Sequence, residues 1–548
     1  MNKFKTLVLM QLKEKLDLSF LKSKKQILFK VIFAILGFAF ITALAYVVLY
    51  ICQLLNIFSA VNHIPLSVMA IVFFIIFIFN MFTCMVGLSK SLYYAKDNQT
   101  LLTYPVNANT LFLSKIVVFY IYEIKRSFSF LIPIFFAYGL LSSLPIYYYL
   151  WMPIMIAIFT MLPVLLGALL SFPMNFILRF FKRYPIIKII LLFALLAGII
   201  TLVVYAINAI PENINLIQSW RVVSRTIRNF LDWFSNAFFI FYAFIIFLCG
   251  RYENLQVTFF SQYSYIVLLV MLGSILVLAG LNYLISRPLY LKMASKHFEF
   301  DYNKPKKNIR NYQYKGFFSS CIYETKKLLR DTSVVTISIA TAVIAPISIL
   351  LLNSLYAAIN TRLLGDYFTI SFNILIILLL LLAHNISVSY IYSKEGDGKL
   401  LNKIKPKKPI QILLPYLFYN AIVSTVILII TASIFFVNTT ISAGNCILLF
   451  FTLWFIILLH IIWSAELDFL HPKNSSYKLE GMAAINPNEV KSTILAFGLS
   501  ILFFGLTLFF LMDGLSGVWI KLFFLTISLL ALRIYLFYYK TKVLFKEV

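Results

Sequence analysis

The sequence predicts an all-α polytopic membrane protein of about twelve transmembrane helices, set as two parallel six-helix repeats, each preceded by an amphipathic elbow helix. Three observations carry this. Hydrophobic residues make up 62% of the chain and charged residues 12%, too little polar surface to cover a water-soluble fold. Twelve apolar runs reach the ~20 residues that a helix needs to cross hydrocarbon. Two cytosolic-type loops also echo each other, with Tyr94, Lys96, Asp97, Leu101, Leu102 and Pro105 in one matched by Tyr392, Lys394, Glu395, Leu400, Leu401 and Pro406 in the other.

The runs lack the alternation of strands, and in lipid only helices or closed barrels satisfy every backbone polar group, so each run reads as a helix. In order they are Phe29–Leu55, Leu66–Leu88, Ser114–Leu141, Tyr149–Leu178, Ile186–Ile207 and Tyr263–Ile285, then Val334–Ala358, Phe368–Ser389, Ile410–Val437, Ser442–Trp463, Ile494–Met512 and Trp519–Tyr539. The first elbow lies in residues 1–28, where Leu9, Leu12, Leu16 and Phe20 recur at helical spacing with Lys13, Glu14 and Lys15 between them, so that one face is greasy and the other wet. The second carries Phe318, Ile322 and Leu329, flanked by Glu324, Lys326, Lys327 and Arg330. Such helices lie flat at the membrane surface. The domains follow: residues 1–287 for the first half, a basic linker at 288–315 around Lys304, Pro305, Lys306 and Lys307, and residues 316–548 for the second half.

Cytosolic loops hold an excess of lysine and arginine. Of the 47 such residues, only Arg221, Arg225, Arg228, Arg251 and Arg362 fall on the outer side. Lys125, Arg126, Lys521 and Arg533 lie within or beside spans. Both termini are therefore expected in the cytosol, and the net charge of +27 reads as a topology signal rather than as nucleic-acid binding. Because each half has an even number of spans, the halves enter the membrane in the same orientation and are related by an axis along its normal.

An insertion at 210–250 distinguishes the halves. Leu216, Trp220, Val223, Ile227 and Phe234 form one stripe of a helix, while Arg221, Arg225 and Arg228 cluster on another side. The following Ala237–Cys249 is too short for a comfortable crossing and reads as re-entrant. Trp220, Arg221, Arg225 and Arg228 are candidates for an external gate; the competing reading is a plug that seals helix packing.

Groups for chemistry are sparse. The five cysteines, Cys52, Cys84, Cys249, Cys321 and Cys446, have no paired spacing, and no catalytic or metal-binding cluster stands out. His384 and His460 are expected to hydrogen-bond within the helix bundle. Glu123, Lys125 and Arg126 are expected at the interface, since the third span is long enough for its cytosolic end to protrude. Nor is there a nucleotide site: beside Gly398-Lys399, a phosphate-binding loop would need glycine where Ser393 stands and a hydroxyl where Leu400 stands.

At the matched loops the sequence resembles the permease subunits of bacterial ABC-type exporters, in the long form with two fused six-span halves. In the first half the likeness rests on Lys96-Asp97, Leu101-Leu102, Pro105 and Lys115. In the second it rests on Ser393-Lys394-Glu395-Gly396, Leu400-Leu401 and Pro406-Lys407-Lys408. The family typically has arginine where Lys394 stands, so a bidentate fork is lost here. A further likeness covers Asp468, Pro472-Lys473, Glu480, Ala483-Ala484, Asn486 and Asn488, and another the elbow from Tyr323 to Asp331.

The resemblance implies a transport subunit of the bacterial cytoplasmic membrane that is not itself an enzyme. Its partners would be a separate ATP-binding cassette ATPase, in two copies holding ATP and Mg, together with membrane lipids and a transported cargo, and no nucleic acid. It assigns ATPase coupling to Lys96, Asp97, Leu101, Leu102, Pro105, Lys394, Glu395, Gly396, Leu400, Leu401 and Pro406. The leucine pairs would form apolar ridges, the charges would fix register, and the prolines would end the short helices. Few fixed charges in the spans favour an amphipathic, peptide or lipid-like cargo. The alternative is an ion- or proton-coupled secondary transporter with six plus six spans, which needs a carboxylate or cation site at the membrane midplane.

Overall fold

The computed structural model describes residues 2–15, 24–54, 64–95, 98–208, 216–249, 251–252, 255–256, 262–295, 316–358, 363–394, 409–437, 441–472, 486–513 and 517–546. The protein is an all-α polytopic membrane protein, with twelve helices among the described residues long and apolar enough to cross a bilayer.

The helices are α1 (Asn2–Lys15), α2 (Lys24–Leu54), α3 (Leu66–Ser89), α4 (Asn98–Leu101), α5 (Ala108–Leu141), α6 (Ile146–Arg183), α7 (Pro185–Asn208), α8 (Leu216–Ala237), α9 (Phe239–Cys249) and α10 (Gln262–Ser295). They continue with α11 (Phe317–Leu329), α12 (Thr332–Ala358), α13 (Leu363–His384), α14 (Ile391–Lys394), α15 (Pro409–Val437), α16 (Ala443–Leu470), α17 (Pro487–Met512) and α18 (Val518–Lys546). Two details escaped the sequence. A two-residue antiparallel pair, Arg251–Tyr252 with Leu255–Gln256, separates α9 from α10. The second span of each half also departs from α-geometry near its end: α3 runs into a π-helical turn at Lys90–Tyr94, and α13 into a 3₁₀ segment at Asn385–Tyr390 that leads into the one-turn α14.

Local chemistry explains several boundaries. Asn486 caps α17 by accepting from the Asn488 N–H at 3.0 Å, with Pro487 at the first helical position and Glu489 in the first turn. Helix α6 tolerates Pro153, Pro163 and Pro173, because neighbouring helices compensate for backbone bonds that proline removes in lipid. At 38 residues it is roughly 57 Å long at the α-helical rise, well beyond a hydrocarbon core of ~30 Å.

The chain divides into two compact units: α1–α6 with α8–α10, and α7 with α11–α18. Helix α7, which by sequence belongs to the first half, packs against α12 of the second unit. It is apolar nearly all round, with Ile190, Leu195, Leu202 and Tyr205 exposed as lipid-facing side chains would be.

In the first unit an aromatic cluster joins α3, α6 and α9. The Phe73 ring stacks on Phe244 at 4.9 Å and meets Phe159 at 4.3 Å, while Phe74 meets Phe238 at 4.5 Å and Phe241 at 5.0 Å. Gly167 of α6 lies against α3 so closely that an added Cβ would stand 2.7 Å from the Cys84 Cβ, an approach only glycine permits. In α1, Leu7 and Gln11 face the protein, Gln11 donating to Ser114 at 3.2 Å, while Leu9 is exposed. Of the expected apolar stripe, Leu9 thus lies away from the protein-facing side and Leu12 is partly exposed, while Leu16 and Phe20 lie outside the described residues. In the second unit Ile377, Leu378, Leu381, Leu413, Leu428 and Phe435 form the core. Phe318, Ile322 and Leu329 of its elbow α11 remain exposed.

Candidate functional site

Of the residues assigned to the first coupling loop, Lys96 and Asp97 lie outside the described residues. Leu101, Leu102 and Pro105 lie within a tight turn: α4 is followed by bonds from Leu102 N to Asn98 O at 2.9 Å and from Val106 N to Tyr104 O at 2.7 Å. Leu101 corrects the expected ridge. Its side chain is 1% exposed and belongs to the core of the first unit, and Leu102 is half-buried against that core. Among the described residues of the loop, Thr100, Thr103, Tyr104 and Pro105 are exposed instead.

Lys115, on α5, is fully buried. Its Nζ donates to the Ser91 carbonyl at 3.1 Å and, over a shorter distance, to Asn98 Oδ1, while Asn98 Nδ2 donates to the Leu92 carbonyl at 2.9 Å. Lys115 carried the family likeness; Asn98 and Ser91 did not. The readable signal was an asparagine opening a short helix directly after an acidic residue.

In the second half Glu395, Gly396, Leu400, Leu401 and Pro406 lie outside the described residues, and Lys394 is the last residue before them. Lys394 Nζ pairs with Asp331 Oδ2 at 2.5 Å. Behind it, the buried Asp468 carboxylate of α16 accepts from Tyr392 N at 2.8 Å, from Ser393 N at 3.1 Å and from the Ser393 hydroxyl. Tyr392 also packs edge-on to Phe469 at 5.2 Å. After α16, Asn488 Nδ2 reaches the His471 carbonyl at 2.9 Å. Three sequence stretches singled out separately therefore meet at one corner of the second unit through their described residues: Asp331 of the elbow, Tyr392, Ser393 and Lys394 at the start of the loop, and Asp468. Of the Asp468–Asn488 stretch, Lys473, Glu480, Ala483 and Ala484 lie outside the described residues. On the elbow, Lys327 stands 3.5 Å from Glu324 and over the Tyr416 ring, and burial pushes the Cys321 thiol above its ordinary pKa.

Among the external gate candidates, Arg225 and Arg228 are exposed on α8. Trp220 and Arg221 belong to that helix, but their side chains lie outside the described residues. The opposite face of α8 buries Ser224, Leu231 and Phe234. At Phe238 the chain turns by 95° into α9, whose residues Ala243–Cys249 are all buried, against α3 and α10. The short apolar run thus fills the interior of its own unit.

Charges inside the bundles depart from expectation. Glu123 and Arg126 do not protrude from the end of α5. Glu123 is 2% exposed and lies 2.8 Å from Arg126, which also donates to Thr83 at 2.6 Å and Asn80 at 3.0 Å on α3. Length alone allowed the charges to reach the interface; a polar partner set on the neighbouring helix holds them inside instead. Lys125 is exposed. In the second unit Glu466 of α16 takes Arg533 at 2.6 Å and Lys540 at 2.8 Å from α18, with Arg533 over the Trp463 ring at 4.4 Å. Two basic residues seven apart, hence on one helical face, were the available signal for this triad. His384 and His460 join buried hydroxyl networks: His384 with Ser338 at 3.0 Å and Asn385 at 3.3 Å, and His460 with the Ser492 carbonyl at 3.2 Å.

Comparison with known proteins adds one finding. Residues 22–231 match the model of a family described as "Putative ATP-binding cassette". That description names an ATP-binding component and no permease. It connects the chain to ATP-binding-cassette systems, and with the twelve-span architecture it is compatible with the membrane subunit of such a transporter. No curated protein and no solved structure matches the chain.

Proposed function

We propose that the chain is the permease subunit of an ATP-driven ABC exporter. It lies in the bacterial cytoplasmic membrane with both termini in the cytosol, and moves an amphipathic, peptide or lipid-like cargo using a separate ATP-binding cassette subunit. The observation that carries this reading is where the family match falls. The described residues between 22 and 231 include five membrane-spanning helices, and the whole range contains only Gly37, Gly87, Gly139, Gly167 and Gly198 as glycines, so the paired glycines of a phosphate-binding loop are missing there. The relation to ATP-binding-cassette systems is then best explained by a membrane partner of the ATPase. Two cassettes, each holding ATP with Mg, dock on the two loops that leave the second spans; their closure and opening push on α3 and α13, and the helices alternate the access of the cargo path.

Purified alone, the chain is expected neither to bind nor to hydrolyse ATP, and co-expressed with its cassette subunit it is expected to elute as one complex. Stoichiometric ATP binding by the isolated chain would overturn the assignment.

Buried Glu123 favours the second reading, a secondary transporter coupled to ions or protons, because it is a carboxylate deep in the bundle. Its charge is already matched by Arg126, and Arg126 is itself held by Asn80 and Thr83. The group therefore serves better as a clasp between α3 and α5 than as an exchangeable site. Transport that persists without ATP and is lost in Glu123→Gln would favour that reading instead.

A further inference from the structure

Near the end of the second span in each half the α-geometry breaks, into a π-helical turn in the first half and into a 3₁₀ segment followed by the one-turn α14 in the second, and opposite backbone groups are bonded beside the two breaks. In the first half the π-helical turn at Lys90–Tyr94 leaves carbonyls of Ser91 and Leu92 to be met by side-chain donors, Lys115 Nζ and Asn98 Nδ2. In the second half the 3₁₀ segment at Asn385–Tyr390 is followed by N–H groups of Tyr392 and Ser393 that bond to Asp468. The first anchor is accordingly a buried cation and the second a buried anion, each fully enclosed and each projecting from another span of its own half. A 3₁₀ stretch inside a helix often marks a hinge, and π-helical turns are frequent at functional sites. Burying a charge is costly unless it is bonded in place, and apolar residues could have sealed these corners at lower cost.

We infer that Lys115 and Asp468 are positioning residues that fasten the two coupling loops to the transmembrane helices, so that force applied by the ATPase reaches α5 and α16 instead of being lost in hinge motion. This rests on the proposed function, since it presumes that a cassette pushes on these loops. Each anchor acts through the backbone it grips and touches neither cargo nor nucleotide.

The experiment uses the full chain co-purified with its cassette subunit, with spin labels on cysteines introduced at Tyr104 or Lys394, both exposed, in a background whose native cysteines are replaced by serine. Lys115→Met is expected to raise label mobility at 104, and Asp468→Ala at 394. In unlabelled chains the same two variants are expected to keep cassette affinity while lowering transport per ATP hydrolysed by roughly ten- to a hundred-fold, the scale on which a misplacement of about 1 Å slows a coupled step. Lys115→Arg and Asp468→Asn, which retain a donor and an acceptor, should recover part of the loss. Ser393→Ala removes one bond to Asp468, and Asn98→Ala removes the bond from Lys115 and the bond to the Leu92 carbonyl while leaving Lys115 on the Ser91 carbonyl; both give milder forms of the same effect should the larger changes prevent folding. Unchanged mobility in all four disruptive variants, or raised mobility with unchanged coupling, would overturn the inference while leaving the proposed function standing. Failure of the unaltered chain to bind any cassette would overturn both.

Discussion

Replacing Leu400 and Leu401 together by aspartate is expected to abolish capture of the ATPase at the second half, and transport with it, while the chain still inserts and folds. Sequence alone carries this expectation, because the pair lies beyond the described residues, after the last fixed point at Lys394. Two leucines buried in a partner would contribute on the order of 1.5–3 kcal/mol each, and the central apolar anchors of an interface outweigh charges at its rim. Lys407→Gln with Lys408→Gln should accordingly be mild. The first half cannot be tested in the same way: Leu101 sits in the core of its unit, so an aspartate there should damage the fold. The matching surface change in that loop is at Tyr104 and Pro105. Pull-down of the ATPase and transport in reconstituted vesicles decide the matter, and wild-type levels of both in the Leu400/Leu401 double variant would remove this loop from the coupling path.

Glu466→Ala is expected to have the largest effect on stability. It would leave Arg533 without its carboxylate at a site only 10% exposed, and would free Lys540 as well. Breaking a buried pair by removing one partner typically costs about 3–5 kcal/mol, whereas replacing both partners by apolar residues can be nearly neutral. The double variant Glu466→Leu with Arg533→Leu should therefore recover most of the loss. Thermal unfolding in detergent measures both, and a Glu466→Ala protein as stable as wild type would show that the triad does not hold α16 to α18.

The spans were legible because lipid leaves the backbone one practical solution: ~20 apolar residues become a helix whatever their neighbours. What hydropathy could not convey is which side chains face which neighbours. Leu9 and Leu101 have the same apolar character, yet Leu9 is left exposed and Leu101 seals a corner. Glu123 and Arg126 looked free to reach the interface because Asn80 and Thr83, their partners on α3, lie more than forty residues away in sequence. Helix α7 is uniformly apolar, so nothing in its pattern announced that it packs against α12. The convergence of Asp331, Lys394 and Asp468 was half legible. Each stood in a stretch that resembled the exporter permeases, but a bond between a carboxylate and backbone N–H groups 75 and 76 residues away has no signature in spacing.

The central claim is a permease built twice, with one ATPase docking loop per half. Native mass measurement of the complex purified with its cassette subunit tests it most directly. One 63.2 kDa chain carrying two cassette copies is the predicted result; a chain that purifies without any cassette bound would contradict it.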